Sequence, residues 1–243
     1  MFLSGNLGNT NLSLALFDGE TLLARAAARA SDDPSPALAR ILGGRPLEAC
    51  GYCSVNPTRE EGFESAVRAS AGVRPLRLGR DVPVGLEVRC REPGRVGVDR
   101  LAAARGALVL ERSAAVVVDA GTAITVNAVT GEGAFLGGAI VPGYRLAARA
   151  LAEGTALLPF VEPGEAEGAL GRDTEEAIRG GLFFGIPGLV DALVEELSRA
   201  LPAGSRVLAT GGDAPLLARR SRRLGRVVPE LVHLGVRAAC ARR

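Results

Sequence analysis

Blocks of apolar and polar positions along the chain predict strands that are followed by helices. The clearest block covers residues 114–126, where a run of alanine and valine leads into Asp119, Gly121 and Thr122 and then into further β-branched residues. We interpret this block as a buried strand, a tight glycine turn and a second strand. Such a turn brings backbone N–H groups, a hydroxyl and a carboxylate to one point. A phosphate and its metal ion require those groups.

A weaker version of the same pattern lies near the N-terminus. Asn6 and Gly8 stand between a short apolar strand and an alternating strand, and residues 18–19 predict a hairpin turn. After the central turn, the chain repeats this order with a turn at 130–132 and a strand over 135–140. Two copies of strand, turn, strand and hairpin predict an internally duplicated fold.

Helical patterns follow each set of strands. Thr174 begins a glycine-rich helix that we expect Pro187 to kink or divide, and residues 231–242 form a closing helix. A third glycine turn, at 211–212, follows a strand. We therefore predict an α/β fold of two duplicated ribonuclease-H-like domains facing each other across a ligand cleft. The predicted domains are residues 1–112 and 113–243, with the ligand beyond the carboxyl ends of the strands.

Composition excludes several classes of chemistry. All 29 basic residues are arginine, so a Walker-type P-loop, protein-kinase chemistry and Schiff-base chemistry each lack their lysine. The net charge of +2 implies no strongly charged partner, and the basic run 219–226 lacks the aromatic residues of a nucleic-acid surface. Without a long apolar run or an export signal, we expect no membrane span and a cytoplasmic location.

Cysteine and histidine are too sparse for a metal cluster. Cys50 and Cys53 have the C-x-x-C spacing, but no second pair follows, and they lie on a predicted strand where positions three apart face opposite sides. We therefore interpret them as small buried residues. His233 is the only histidine of the chain. We expect it at the surface or partly packed near a helix start.

Eight motifs together resemble the type III pantothenate kinases, within the superfamily of acetate and sugar kinases, Hsp70 and actin. They occur in order from end to end, so the resemblance covers essentially the whole chain. The motifs are Gly8–Asn11, Ser54–Pro57, Gly97–Arg100, Asp119–Thr122, Leu136–Gly143, Thr155–Pro159, Gly171–Thr174 and Ala209–Gly212.

The resemblance implies an actin-like ATPase fold with a nucleotide cleft. It also implies ATP-dependent phosphorylation of pantothenate to 4'-phosphopantothenate, the first step of coenzyme A synthesis. It further implies a divalent metal such as Mg²⁺, a monovalent cation (K⁺ or NH₄⁺) and a homodimer. The ATP-binding residues it implies are Asn6, Leu7, Gly8, Asn9, Thr10, Asn11, Leu12, Ser13 and Thr122.

The pantothenate-binding residues that the resemblance implies are Cys90, Gly97, Val98, Asp99, Arg100 and Thr174. Among these, Asp99 is implied as the general base that accepts the proton of the substrate hydroxyl, and Asp119 lies at the monovalent-cation position. From the residues alone, an aspartate at a helix start also has a simpler interpretation as a helix cap or as an ion pair with Arg100.

Two departures from the family keep an alternative open. Asn6 stands where the family has aspartate, so the charge that helps to hold the metal is missing, and Ser4 and Gly5 replace apolar residues before it. Cys90 stands where the family has a tyrosine that contacts pantothenate. The alternative is a catalytically weak or inactive homologue that binds nucleotide or regulates. A sugar or acetate kinase fits the turns but not the other motifs.

Overall fold

The computed structural model describes residues 1–241 and divides the chain into two compact units. Unit 1 comprises Met1–Leu110 together with the C-terminal segment from Glu230 onward, and unit 2 comprises Glu111–Pro229. The strands are β1 (Phe2–Leu7), β2 (Asn11–Asp18), β3 (Thr21–Arg29), β4 (Ala49–Ser54), β5 (Pro75–Arg77), β6 (Glu87–Val88), β7 (Ala115–Ala120), β8 (Ala123–Val129), β9 (Ala134–Pro142), β10 (Arg206–Thr210) and β11 (Arg226–Val227). The helices are α1 (Ser35–Leu42), α2 (Glu60–Ala71), α3 (Val98–Glu111), α4 (Tyr144–Gly154), α5 (Thr174–Ser198), α6 (Ala214–Ala218) and α7 (Leu231–Cys240).

Unit 1 is built on a five-stranded mixed sheet in the order β3-β2-β1-β4-β5. The first three strands form antiparallel hairpins, and β4 and β5 then run parallel to β1. Leucines such as Leu3 and Leu14 on one face pack with α1 and α2 into a common core. Helix α7 packs against β1 and β4, and a Cβ on Gly51 of β4 would collide with Val236 and Cys240 of that helix.

Unit 2 repeats this topology. Its own five strands pair in the order β9-β8-β7-β10-β11, with β7, β8 and β9 antiparallel and β10 and β11 parallel to β7. Both hairpin sets contain a register shift at the same stage, between Leu16 and Phe17 in unit 1 and between Ala128 and Val129 in unit 2. Two sheets with the same strand order and directions confirm the predicted duplication.

The division of the chain differs from the predicted boundary at 112/113. The structure places the C-terminal segment from Glu230 in unit 1, whereas the prediction assigned everything after 112 to the second domain. The reason is a close helix contact inside unit 1: Gly106 of α3 and Gly235 of α7 leave no room for a Cβ against the facing backbone. Helix α7 ends at Cys240. The last residue of the predicted closing helix, Arg242, lies outside the described residues.

Helix α5 is one continuous helix of 25 residues with Pro187 inside it. Of the two predicted alternatives, Pro187 therefore does not divide the helix, and the kink stays a prediction. The proline costs about 3 kcal/mol in a helix interior, and packing of α5 on β7, β8, α4 and α6 within unit 2 offsets this cost. By length and composition alone α5 is apolar enough to cross a membrane, with a mean hydropathy of 1.5 in its most apolar window. Core helices of globular proteins pass the same test, and side chains such as Ile178, Val190 and Val194 are buried in the core of unit 2.

Candidate functional site

The first candidate turn joins β1 to β2 in unit 1. The backbone N–H of Gly8 donates to the carbonyl of Asn11 at 3.0 Å, and that of Val55 donates to Leu7 at 3.0 Å. The carbonyl of Thr10 accepts from the N–H of Ala30 at 2.8 Å. These bonds fix both ends of the turn, and the tip at residues 9–10 is exposed. The turn therefore presents backbone and polar side chains on a rigid support, as phosphate binding requires.

Asn6 lies at the end of β1 between two polar neighbours. Its register partners are Ser13 on β2 and Cys53 on β4, and the Cys53 thiol donates to Asn6 Oδ1 at 3.3 Å. Asn6 is half-buried and Cys53 is fully buried. The amide oxygen is thus an oxygen ligand without a formal charge, and a weak thiol donor already contacts it.

His233 of α7 is buried, so the expectation of a surface or partly packed histidine is wrong. Its ring contacts the two strands that the first turn joins, with Nδ1 at 2.9 Å from Ser4 Oγ and Nε2 at 3.1 Å from Ser13 Oγ. Burial, together with the smaller effect of the nearby charge of Arg25, lowers the pKa of His233 from 6.5 to about 4. The ring is therefore neutral near pH 7 and holds two serine hydroxyls of β1 and β2.

The unusual residues before Asn6 now have a structural reason. Ser4 is fully buried and shares the sheet face of Asn6, where its hydroxyl meets the histidine. Gly5 faces the other side, where a Cβ would lie 2.8 Å from Cζ of Phe63. Alternation of Ser4 and Asn6 on one face of a strand was the signal in the sequence, but it does not name the distant partner.

Asp99 lies in the first turn of α3, in unit 1. Its Oδ1 accepts a hydrogen bond from the backbone N–H of Arg100 at 2.8 Å, so the carboxylate does bond to the start of its own helix. Burial raises the pKa of Asp99, and the Arg100 N–H and guanidinium oppose that rise. A Cβ on Gly97 would lie 2.6 Å from Asp99 Oδ1, so glycine at 97 leaves space for the carboxylate. A carboxylate with a raised pKa is better suited to accept a proton than an exposed one.

Arg100 follows Asp99 directly on α3. Burial lowers the pKa of Arg100, and the charges of Asp99 and Cys90 oppose that fall. Both Cys90 and Arg100 are half-buried. Four of the predicted pantothenate residues, Gly97, Val98, Asp99 and Arg100, therefore lie together at the start of α3, and Cys90 belongs to the same unit.

The second candidate turn follows β7 in unit 2. Asp119 is in register with Thr125 on β8 and Thr210 on β10. The N–H of Gly121 donates to the carbonyl of Ala123 at 3.1 Å. The turn after β9 contacts this turn, because the N–H of Gly143 donates to the carbonyl of Thr122 at 3.1 Å.

The third turn belongs to the same place in unit 2. Gly211 has φ +93° and packs against Ala120 and the Asp119 carboxylate so closely that no side chain fits there. The N–H of Asp213 donates to the carbonyl of Ala120 at 2.9 Å. The turns at Gly121, Gly143 and Gly211 therefore meet beyond β7, and of the three Gly211 lies against the Asp119 carboxylate.

Sequence reasoning missed two groups beside these turns. Burial raises the pKa of the Asp213 carboxyl, and the charge of Asp213 adds to the burial that raises the pKa of Tyr144. Tyr144 is 1% exposed, and its Oη has no hydrogen-bond partner among residues 1–241. An aspartate directly after the Gly-Gly turn was the available signal for the first group. Nothing in the sequence indicates that the tyrosine hydroxyl is buried.

Thr174 begins α5, and Thr122 lies in the turn after Asp119; both are exposed. The predicted start of α5 is confirmed: Oδ1 of Asp173 accepts from the N–H of Glu176 at 2.8 Å, and Glu176 Oε2 accepts from the N–H of Arg172 at 2.9 Å. The predicted site residues thus divide between the units. Asp119, Thr122 and Thr174 belong to unit 2, and the others belong to unit 1.

Comparison with known proteins identifies the family. The family model described as type III pantothenate kinase matches residues 2–196. A type III pantothenate kinase of Dehalococcoides mccartyi is 37% identical over 242 residues, which cover 96% of this chain and 94% of the relative.

Solved structures show the same fold at low sequence identity. A Sinorhizobium meliloti protein assigned as a 2-dehydro-3-deoxygalactonokinase superposes with a TM-score of 0.59 at 15% identity, covering 99% of this chain and 96% of the other. A ROK family glucokinase from Streptomyces griseus, in complex with glucose and AMPPNP, has a TM-score of 0.55 at 13% identity and 99% coverage of both chains. The fold is therefore the duplicated α/β fold of the actin-like ATPases and sugar kinases, and on the family model and the D. mccartyi relative the chain belongs to the type III pantothenate kinase family.

Proposed function

We propose that this chain transfers the γ-phosphoryl group of ATP to the primary hydroxyl of pantothenate, which yields ADP and 4'-phosphopantothenate and begins coenzyme A synthesis. Family membership supports the reaction. The observation on which the mechanism rests is Asp99, a half-buried carboxylate of raised pKa at the start of α3, with Arg100 beside it.

In the proposed mechanism, Asp99 accepts the proton of the pantothenate hydroxyl while the hydroxyl oxygen forms the new P–O bond. The bond between the γ-phosphorus and the oxygen that bridges it to the β-phosphate breaks, and ADP leaves with that electron pair. Arg100 compensates the negative charge near the substrate. Because the transition state of such transfers is loose, positioning by the turns contributes much of the acceleration.

The cations that the family implies fit the residues unequally. The Asp119 carboxylate and the carbonyl oxygen of Ala120 lie together beside Gly211, and a carboxylate with carbonyl oxygens near it is a donor set that suits a hard cation. Asn6 offers only a neutral amide oxygen, to which Cys53 donates. We propose that Asp119 holds the monovalent cation and that Asn6 contacts the water shell of Mg²⁺. When bound, these ions neutralise phosphate charge.

We further propose that the protein acts as a homodimer in the cytoplasm, where ATP is available. The support for a dimer is a set of large apolar side chains that unit 2 leaves exposed: Ile140 at 59%, Leu157 at 91%, Leu170 at 90% and Leu189 at 44%. Surfaces of this kind are often covered by another chain. Sedimentation equilibrium at micromolar concentration tests the dimer, and a monomer would contradict it.

A coupled ADP-release assay with and without pantothenate tests the function. We expect turnover that requires pantothenate and that rises with potassium or ammonium. Absence of pantothenate-dependent turnover at high ATP, with either cation present, would overturn the proposal and leave a nucleotide-binding or regulatory homologue. Nothing in the comparisons favours that alternative.

A further inference from the structure

Helix α7 reaches the first turn through the ring of His233, which contacts a serine of β1 on one side and a serine of β2 on the other. We propose that His233 is a positioning residue that fixes the Ser13 hydroxyl as a hydrogen-bond donor toward a nucleotide phosphate. The inference rests on the proposed function, because it assumes that the first turn binds ATP.

The hydrogen bonds around the ring assign its proton. A neutral imidazole has one N–H, so one serine donates to the ring and the other accepts from it. Ser4 is 0% exposed, and a buried hydroxyl donates its proton to an available acceptor, here Nδ1 at 2.9 Å. Nε2 then carries the proton and donates to Ser13 Oγ at 3.1 Å. Both distances lie within the range of hydrogen bonds.

Unit 2 contains a similar hydrogen bond to a hydroxyl group, made by different residues. Thr125 lies opposite Asp119 on the neighbouring strand, as Ser13 lies opposite Asn6. The amide Nδ2 of the buried Asn127 donates to Thr125 Oγ1 at 2.9 Å. Because an amide nitrogen only donates, the threonine hydroxyl must accept there. In each unit, a buried nitrogen donor therefore bonds to the hydroxyl that lies opposite the polar residue of the turn.

This arrangement determines the direction in which Ser13 donates. With its oxygen accepting from His233, the Ser13 proton points away from the ring. Ser13 is half-buried and directly opposite Asn6, so the two Cβ atoms are about 5 Å apart. A hydroxyl proton at this position is a donor to a phosphate oxygen. If the ring proton were on Nδ1 instead, the Ser13 hydroxyl would donate its hydrogen bond to Nε2. Only its oxygen lone pairs would then face the phosphate, and these repel phosphate oxygens.

The first test reads the tautomer directly. His233 is the only histidine of the chain, so imidazole ¹⁵N spectra of the whole protein, prepared without a histidine tag, contain one ring. We expect the neutral Nε2–H form without change from pH 6 to pH 8. A neutral Nδ1–H form, or a ring that becomes charged in that range, would overturn the proposal.

The second test is a double-mutant cycle on nucleotide affinity, measured by calorimetry with Mg²⁺-AMPPNP. We expect Ser13→Ala and His233→Leu each to weaken binding about tenfold, the loss expected for one hydrogen bond to a charged group. Because the histidine acts through Ser13, the double variant should bind no more weakly than either single variant. Losses that multiply would contradict this.

A matched control separates positioning from packing. Val236→Ala removes two methyl groups from the same helix, at a side chain that packs against Gly51 of β4 and cannot form a hydrogen bond with either serine. It should lower Tm and leave AMPPNP affinity unchanged. Equal weakening by Val236→Ala and His233→Leu would show that α7 acts only as structure, and the proposal would be wrong. The readout is nucleotide affinity, so a protein that passes both tests but does not phosphorylate pantothenate would contradict the proposed function alone.

Discussion

The two units share one sheet topology but place different side chains at the same point of it. Asp119 is the next-to-last residue of the first strand of unit 2, and Asn6 is the next-to-last residue of the first strand of unit 1. Each lies opposite a hydroxyl residue, Thr125 or Ser13. The geometry of the turn is thus duplicated while its charge is not. The proposed function assigns different roles to the two units, cation binding to Asp119 of unit 2 and proton transfer to Asp99 of unit 1.

The neighbouring parallel strand sharpens this difference. Beside Asn6 stands Cys53, whose thiol donates to the amide oxygen, whereas beside Asp119 stands Thr210, whose hydroxyl bonds to the carbonyl of Pro229 at 3.4 Å. The Thr210 hydroxyl thus bonds to a backbone carbonyl, whereas the Cys53 thiol bonds to the side chain of Asn6. The Asn6 oxygen is already partly satisfied by protein, which makes it a weaker ligand for a hydrated metal ion than a carboxylate in the same place.

The largest expected effect concerns Asp99, the proposed general base, which lies in unit 1. Asp99→Asn should lower pantothenate-dependent turnover about 10²- to 10⁴-fold, because the amide cannot accept the hydroxyl proton. ATP affinity should stay nearly unchanged, as measured with AMPPNP. The matched control is Glu92→Gln, which removes an exposed carboxylate of the same segment and should keep full activity. A variant at 99 with wild-type turnover would remove the general base from the mechanism.

The pKa shift of Asp99 also predicts the direction in which Asp99→Asn changes the stability of the protein. Burial raises the pKa of Asp99 in the folded protein, so the ionised carboxylate opposes folding. Stability from this group is fully present at pH values below the unfolded pKa and is lost as pH rises through the folded pKa. Asp99→Asn should therefore raise Tm at pH 7 or leave it unchanged, and a fall in Tm would show that the charge is stabilising.

The two buried nitrogen donors differ because His233 of unit 1 can take up a proton and Asn127 of unit 2 cannot. His233 has a pKa of about 4 instead of 6.5, so the stability it contributes is present above pH 6.5 and is lost as pH falls toward 4. The full loss is roughly 3 kcal/mol, and it should appear in urea unfolding at a series of pH values. His233→Leu should lack this step. Asn127, the buried nitrogen donor to Thr125 in unit 2, does not titrate, so Asn127→Ala should lower stability equally at all of these pH values.

Local patterns in the sequence predict the turns, the duplication and the start of α3, because strands, glycine turns and caps are specified by neighbouring residues. The position of α7 is not predictable in this way. Its contacts join residues that lie far apart in the chain, more than 200 positions apart in the bond between Ser4 and His233. A lone histidine on a helix gives no local sign of its partner, and so both the domain division and the environment of His233 were missed.

Pro187 shows the other limit of local reasoning. A proline in a helical pattern predicts a break, since it removes a backbone hydrogen bond. In unit 2, α5 is packed on both sides of the proline by strands and helices that lie far away in sequence. Tertiary packing therefore overrides the local preference. Asp99 illustrates the same limit in the site, because the sequence gives its place at a helix start but not the burial that raises its pKa.

Removing the charge from unit 2 makes the two turns alike. Asp119→Asn should weaken activation by potassium about 10- to 100-fold, because an amide oxygen binds a cation less strongly than a carboxylate does. The measurement is turnover against potassium concentration, with Asp18→Asn as the control at an exposed carboxylate. An unchanged potassium requirement would mean that Asp119 serves only the packing of Gly211.

The smallest expected effect comes from Asn6→Asp, which gives the turn of unit 1 the carboxylate that Asp119 supplies in unit 2. Asn6→Asp should raise turnover about tenfold at limiting Mg²⁺, which corresponds to about 1.4 kcal/mol. The new carboxylate keeps the Cys53 donor and adds charge for the water shell of the metal. The control is Asn9→Asp, which places the same charge at the exposed tip of the turn and should instead weaken AMPPNP binding. If Asn6→Asp leaves the Mg²⁺ dependence unchanged, position 6 does not face the metal, and the neutral amide is no handicap to the enzyme.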